Sequence, residues 1–306
     1  MHLAEINAPV SKKWGFLMKF TKMHGCGNDY IFVDCIKNPL TEEEVEDLSR
    51  IAVVTSDRRT GIGADGIILI KPSIAADFEM EMYNSDGSMG EMCGNGIRCV
   101  GKYVYDYHLT EKTQIRIATK AGIKQLDLNV KDGMVETVRV HMGQPILTPE
   151  QIPVSYQGNE KQLIDYTIEA GGVFYQITCV SMGNPHAVLF LPEILRTDVK
   201  YIGSLLEHHK LFPHRTNVEF VHVINKNTIE MRVWERGSGE TFACGTGACA
   251  SVIASILHGY TENKVTVHLL GGDLLIEYDE EANVVFMTGP AVTVYDGETV
   301  DLLNSF

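Results

Sequence analysis

The sequence predicts an α+β protein of two pseudo-symmetric α/β lobes, with mostly antiparallel or mixed strands wrapped around a helix in each lobe and a functional cleft between them. Three observations carry that expectation. Short apolar runs bounded by Gly, Asn and Asp outnumber helical patterns and often follow one another, as in Ile115–His141 and Val265–Met287. Two helical segments open on glycine-rich starts. The chain also repeats itself at an offset of 151 residues.

The elements follow in order. The first convincing strand begins at Met18-Lys19-Phe20, which leaves residues 1–17 as an extension. Tyr30–Asp34, Ile67–Ile70, Phe78–Tyr83 and Val135–His141 read as strands of the first lobe; Phe174–Val180, His186–Phe190, Val218–Ile224 and Thr228–Trp234 read as strands of the second. Thr41–Ala52 reads as a helix opened by a capping box of Thr41 and Glu44, and Val199–His209 as a weaker one. In Gly94–Tyr107 the residues Ile97, Val100, Val104 and Tyr107 keep helical spacing, as Ala248, Val252 and Ile256 do in Gly245–Leu257, so both read as half-buried helices. Met142–Gln157, with Pro145, Pro149 and Pro153 and little periodicity, reads as a linker. The lobes are then residues 18–143 and 150–288, followed by 289–306.

The repeat is specific to one region. Glu79–Asn84 aligns with Glu230–Glu235, and Cys93-Gly94-Asn95-Gly96 aligns with Cys244-Gly245-Thr246-Gly247. Upstream, at a slightly different offset, Gly27-Asn28 resembles Gly183-Asn184. With pseudo-two-fold packing, the two Cys-Gly-x-Gly helix starts face each other across one cleft.

Composition narrows the chemistry. The 26 Lys and Arg against 40 Asp and Glu leave a net charge of −14, which disfavours a nucleic-acid or anionic-membrane partner and leaves room for a small anionic substrate met by local donors. No apolar stretch reaches spanning length, and seven cysteines spread over 306 residues form no disulfide framework, so the expected compartment is the reducing cytoplasm. The intervals Cys93-x5-Cys99 and Cys244-x4-Cys249 are not zinc spacings, and no metal is expected.

A Cys at a helix start sits beside unpaired amides and about half a unit of positive dipole charge, which favours the thiolate. Two helix N-termini aimed at one point also make a carboxylate cradle. Either motif alone reads better as turn glycines and a small buried thiol; their duplication at equal distance from Asn84 and Glu235 reverses that. Asn28, Asn84, Asn184 and Asn217 lie at strand ends and could supply amides to a polar ligand, Arg236 offers a planar fork for a carboxylate, and His186 could pair with a thiol. Gly61–Gly66 satisfies G-x-G-x-x-G, but no strand precedes it and no helix follows, so it reads as a turn. Cys26, Cys35, Cys99, Cys179 and Cys249 read as packing residues.

Met23–Asp29, Asn84–Ser88, Cys93–Cys99, Ser181–His186, Glu235–Gly237 and Ala243–Ala248 together resemble the diaminopimelate epimerase family from about Met18 to the C-terminus. The resemblance implies an isomerase without cofactor that interconverts LL- and meso-diaminopimelate, as a homodimer, between two α/β lobes. It implies Cys93 and Cys244 as the base and acid, with His186 and Glu235 assisting. It further implies that Gly94, Asn95, Gly245 and Thr246 hold the α-carboxylate and that Asn28, Asn84, Asn184, Asn217 and Arg236 hold the rest of the substrate. The last strand in such proteins often returns to the first lobe. Where some members carry Gln, this chain has Gly66. The nearest alternative is a proline or hydroxyproline-type racemase, which typically carries His where this chain has Asn95; from another class, a thiol-redox protein would turn over a disulfide.

Overall fold

Residues 18–299 are described by a computed structural model of the chain; the expected extension at 1–17 and the last part of the tail lie outside them. The first half runs β1 (Lys19–Gly25), β2 (Asn28–Asp34), α1 (Glu42–Glu46), α2 (Leu48–Ser56), β3 (Gly66–Lys71), β4 (Phe78–Asn84), β5 (Met89–Gly90), α3 (Gly94–Asp106), β6 (Gln114–Thr119), β7 (Gly122–Lys131) and β8 (Met134–Gly143). The second half runs β9 (Tyr166–Ala170), β10 (Val173–Ser181), β11 (Pro185–Phe190), α4 (Val199–Glu207), β12 (Asn217–Asn225), β13 (Thr228–Glu235), β14 (Gly239–Thr241), α5 (Gly245–Leu257), β15 (Lys264–Leu269), β16 (Gly272–Asp279) and β17 (Val284–Pro290), and ends in β18 (Val292–Glu298).

Both halves pair in the same way. β1–β2, β3–β4, β6–β7 and β7–β8 are antiparallel, as are β10–β11, β12–β13, β15–β16 and β16–β17. β2–β3 and β4–β6 are parallel, as are β11–β12 and β13–β15. A parallel pair needs a crossover, and helices supply it: α1 with α2, α3, α4 and α5 in turn. β8 pairs with β17 and so joins the halves. β18 pairs with β1 as β9 pairs with β10, so the last strand completes the first half.

Side-chain alternation along the strands divides the core. In β2, Tyr30 and Phe32 face the interior shared with Ile97, Val100 and Val104 of α3 and with Ala248 and Val252 of α5. Ile31 and Val33 face the other way, onto Ile51 and Ala52 of α2. In the second half Ala187, Leu189, Val218 and Phe220 pack likewise beneath Leu206 of α4. Each sheet therefore carries one helix on its outer face and curls around another.

That curling corrects the expectation of half-buried helices. Every residue from Gly94 to Val104 is buried, and so is every residue from Gly247 to Ser255, because the wrapping strands cover the helix on all sides. The Thr41–Glu44 capping box is present, but the helix breaks at Asp47 (φ −97°, ψ 4°), which re-aims Leu48, Ile51 and Ala52 at the sheet and lets the second segment run on to Ser56. The stretch read as a linker is not loose. Ile146 bridges Ser181, a 3₁₀ turn spans Pro149–Gln151, and Ile152 and Val154 are buried in the second outer core; the prolines suppressed periodicity without preventing burial. Among the described residues, no helix is long and apolar enough to cross a membrane.

Gly203 lets α4 lie close on β13: a Cβ there would stand 2.5 Å from Cβ and Cγ of Trp234. In an exposed helix Gly→Ala stabilises by about 1 kcal/mol. Here Gly203→Ala is expected to destabilise by about 1–3 kcal/mol through overpacking. Urea unfolding checks it; unchanged or raised stability would contradict the close approach.

Candidate active site

Cys93 and Cys244 are the N-caps of α3 and α5, in nearly the same extended conformation (φ −120°, ψ 120° and φ −118°, ψ 111°). Each sulfur accepts from the amide three residues on, Gly96 and Gly247, at 3.4 Å. The helix starts abut: a Cβ on Gly94 would lie 3.8 Å from the Gly245 Cα, and one on Gly245 would lie 3.7 Å from the Gly94 Cα. Met287 of β17 closes the space behind them, 2.9 Å from that second position. Two positive helix ends thus point into one cleft of about 1,400 Å³ between the halves.

The cleft is lined by Asn28, Asn84, Cys93, Gly94, Asn95, Asn184, Asn217, Glu235, Arg236, Cys244, Gly245 and Thr246. His186 does not line it. It is fully buried behind the wall, where Nδ1 lies 2.7 Å from Glu219 Oε1 and Nε2 lies 2.9 Å from Asn184 Oδ1. The pairing of His186 with a thiol that the sequence suggested is therefore replaced by a pairing with a carboxylate. The strand-end asparagines arise at sheet margins, where ladder bonds run out and amides turn to other partners. Asn217 accepts from the Arg236 amide (2.9 Å) and donates to Pro185 O (3.0 Å). Asn84 donates to Ser88 Oγ (3.0 Å). Arg236 Nη1 donates to His214 O (3.2 Å) and its side chain is exposed at the cleft mouth.

Asn28 is oriented by charges behind it. Its Nδ2 donates to Asp65 (2.7 Å), while Arg58 bridges Asp65 and Asp29 (2.9 and 2.7 Å) and Lys22 also pairs with Asp29. Asn28 Oδ1 is thereby turned toward the thiol of Cys93 (3.2 Å) and the amide of Asn95 (3.3 Å). The Gly61–Gly66 turn supplies part of this frame through Asp65. At Gly66 itself a Cβ would stand 2.2 Å from Tyr83 O, so this backbone admits no side chain there.

Arg98 lies one turn into α3 and is fully buried. It donates to Gly94 O (3.1 Å), Asn95 Oδ1 (3.0 Å) and Pro290 O (3.2 Å), which holds the Asn95 side chain and pins the end of β17 to the helix start. The sequence reading passed over Arg98, Glu219 and Tyr30. A charged residue inside an apolar helical pattern was the available signal for Arg98, and a lone Glu within the apolar run Val218–Ile224 was the signal for Glu219.

Burial pushes the Cys93 thiol up, and the charge of Glu235 adds a little, against the amides of Gly96 and Asn95 and the hydroxyl of Tyr30. Burial pushes Cys244 well up, and the charges of Glu235 and Glu219 add to it against the Thr246 hydroxyl and the Gly247 amide. Glu235 is itself raised, first by burial; the hydroxyl of Thr241 donates to it. A desolvated thiolate is a strong base, which suits removal of a proton from weakly acidic carbon. Cys99, Cys179 and Cys249 are buried and pushed up to about 12, which leaves them inert.

The sequence model of the diaminopimelate epimerase family matches residues 20–148 and 178–294. The chain is 56% identical to a diaminopimelate epimerase of Agathobacter rectalis, over 94% of this chain and 100% of that one. It is likewise 56% identical to a diaminopimelate epimerase of Acetivibrio thermocellus, over 93% and 99%. Among solved structures, a hydroxyproline epimerase from Agrobacterium vitis shares the fold with a TM-score of 0.66 at 13% identity, covering 95% of this chain and 93% of that one. A PhzF-family phenazine biosynthesis protein from Bacillus anthracis does so with a TM-score of 0.65 at 19% identity, covering 93% and 99%.

The two thiols are expected to ionise above the ordinary thiol value of about 8.5. Alkylation by iodoacetamide, resolved by peptide mass spectrometry, should therefore rise with pH at both, with the Cys93 midpoint below that of Cys244. A midpoint under the ordinary value at either thiol would contradict the burial described.

Proposed function

The chain belongs to the diaminopimelate epimerase family, and from that premise we propose how its own groups carry out the reaction. The enzyme is an isomerase that interconverts LL- and meso-2,6-diaminopimelate, in diaminopimelate and lysine biosynthesis. The observation that carries the assignment of its site is the meeting of two cysteine-capped helix N-termini at the cleft.

In this reading the α-carboxylate sits between the helix starts, held by the amides of Gly94, Asn95, Gly245 and Thr246. Their dipoles stabilise the charge that spreads onto the carboxylate as the Cα–H bond breaks. One cysteine, as thiolate, takes the proton; the other, as thiol, delivers its proton to the opposite face. Inversion follows because the two sulfurs come from opposed halves. No pyridoxal phosphate takes part, and the stabilisation it would supply falls to the amides in a pocket poor in water. Asn28, Asn84, Asn184 and Asn217 hold the rest of the substrate, chiefly its distal amino-acid head, and Arg236, exposed at the mouth, meets the distal carboxylate. Glu235 lies beside Cys244 and steadies its proton. His186 acts from behind the wall through Asn184. The reading extends to a homodimer working in the cytoplasm, and to lobes of residues 18–143 and 150–288 with 289–306 joining the first.

Incubation with LL-diaminopimelate in D2O, without added cofactor, should give meso product carrying deuterium at one α-carbon. Cys93→Ala and Cys244→Ala should each lower kcat by roughly 10²–10⁴-fold while keeping the fold; near-wild-type turnover in either would refute the two-base assignment. Arg236→Ala should raise KM at least about tenfold with a smaller change in kcat, since it removes binding common to ground and transition states. An unchanged KM would overturn its role.

A further inference from the structure

Glu219 has no place in the reaction described above, yet it is one of the least solvent-exposed charged groups of the protein. It stands on β12 with 0% of its side chain exposed, against an equally buried His186. One oxygen, Oε1, faces His186 Nδ1 at 2.7 Å; the other, Oε2, has no hydrogen-bond partner among the described residues. A buried carboxylate with an idle oxygen is costly to keep. Its position is close to the chemistry. The point a Cβ of Gly247 would occupy lies 2.7 Å from Glu219 Oε1 and 3.3 Å from Cys244 Sγ, so the glycine of this helix start makes room for the carboxylate beside the thiol.

The other half has nothing comparable. β2 pairs with β3 as β11 pairs with β12, and this register equates Tyr30 with His186 and Ile68 with Glu219. The packing agrees: a Cβ on Gly96 would meet Ile68 Cδ1 at 2.5 Å, just as one on Gly247 meets Glu219. Cys93 therefore has an aliphatic residue and a phenol where Cys244 has a carboxylate and an imidazole. The charged and titratable groups around Cys244 are Glu219 on β12, Glu235 on β13, His186 on β11 and Cys93 on the facing helix.

We propose that Glu219 is the positioning residue that keeps the proton of the substrate-free pair on Cys244, so that Cys93 ionises first and stands as the base. The proposal rests on the two-thiol reading given above. When substrate binds, Cys93 S⁻ takes the Cα proton and Cys244 S–H gives up its own; one S–H bond forms as the other breaks, and the exchanged proton state relaxes before the next turnover. The two halves thus repeat the fold and the helix caps while differing in the groups that rank the thiols.

The test is peptide-resolved alkylation by iodoacetamide across pH, on the full chain. In Glu219→Gln the Cys244 profile should move down by about one pH unit, a roughly tenfold faster labelling below the midpoint, while the Cys93 profile stays. Glu219→Asp, which keeps the charge, should hold Cys244 near its wild-type profile. His186→Gln, which removes the partner of Oε1, should move Cys244 the opposite way. A packing defect would not give opposite shifts at two members of one pair, and the His186 variant keeps the test open should Glu219→Gln fail to fold. A Cys244 profile unmoved in both Glu219→Gln and His186→Gln, or Cys93 and Cys244 moving together, would overturn the proposal and leave the two-thiol reading intact. Retention of epimerisation after Cys244 is alkylated would instead overturn that reading.

Discussion

Two helix N-termini meet inside this protein, close enough that a Cβ on Gly94 or Gly245 would touch the other glycine. Their first-turn amides have no acceptor within their own helix, and their dipoles present positive potential to one another. Such a junction is unfavourable when empty and is relieved by an anion. Much of the fold serves to impose it. Each helix is a crossover between parallel strands, each is enclosed by its sheet, and the β8–β17 pairing locks the halves so that the helix starts stay opposed. The sulfurs of Cys93 and Cys244 accept from the Gly96 and Gly247 amides, and in the proposed reading the neighbouring donors meet a ligand carboxylate.

Because the halves are copies, the junction alone would treat the two thiols alike. In the proposed two-thiol reading one sulfur carries a proton and the other does not, and the copies do differ close to the helix starts. They differ at the positions that pair across β2–β3 and β11–β12, where Tyr30 and Ile68 answer to His186 and Glu219. Around the first thiol, which shares Glu235 with the second, Arg58, Asp29 and Asp65 orient Asn28 from behind. Arg98 likewise donates to neutral oxygens and to the sulfurs of Met287 and Cys26, ordering Asn95 and the end of β17. Specific orientation is bought here with buried polar groups, a common role for fully bonded interior networks.

Local patterns made much of this legible. Cys-Gly-x-Gly ahead of a helical period located both caps, since helix starts are written in a few adjacent residues. The internal repeat exposed the two-lobe plan, and the capping box at Thr41 read true because both its bonds lie within four residues. What failed were quantities set by neighbours distant in sequence. The half-buried reading of α3 missed how far the strands close around it, and Asp47 carries no breaker signature because the sheet, not the residue, turns the chain there. The ring of His186 lies between Glu219 and Asn184, and Glu219 is 33 residues away in sequence.

The kind of elements, their order, the duplication and the two capping cysteines were legible before any folding, for these follow from periodicity, caps and short motifs that act within a turn or a strand. Tertiary packing settled that the two helix starts meet, that β18 completes the first half, that Gly247 leaves room for Glu219, and that Glu219 adds to Glu235 at Cys244 while Cys93 feels Glu235 alone. Those outcomes depend on strand pairing and burial between residues far apart in the chain, and electrostatic influence at such sites is set by distance and desolvation rather than by sequence neighbourhood.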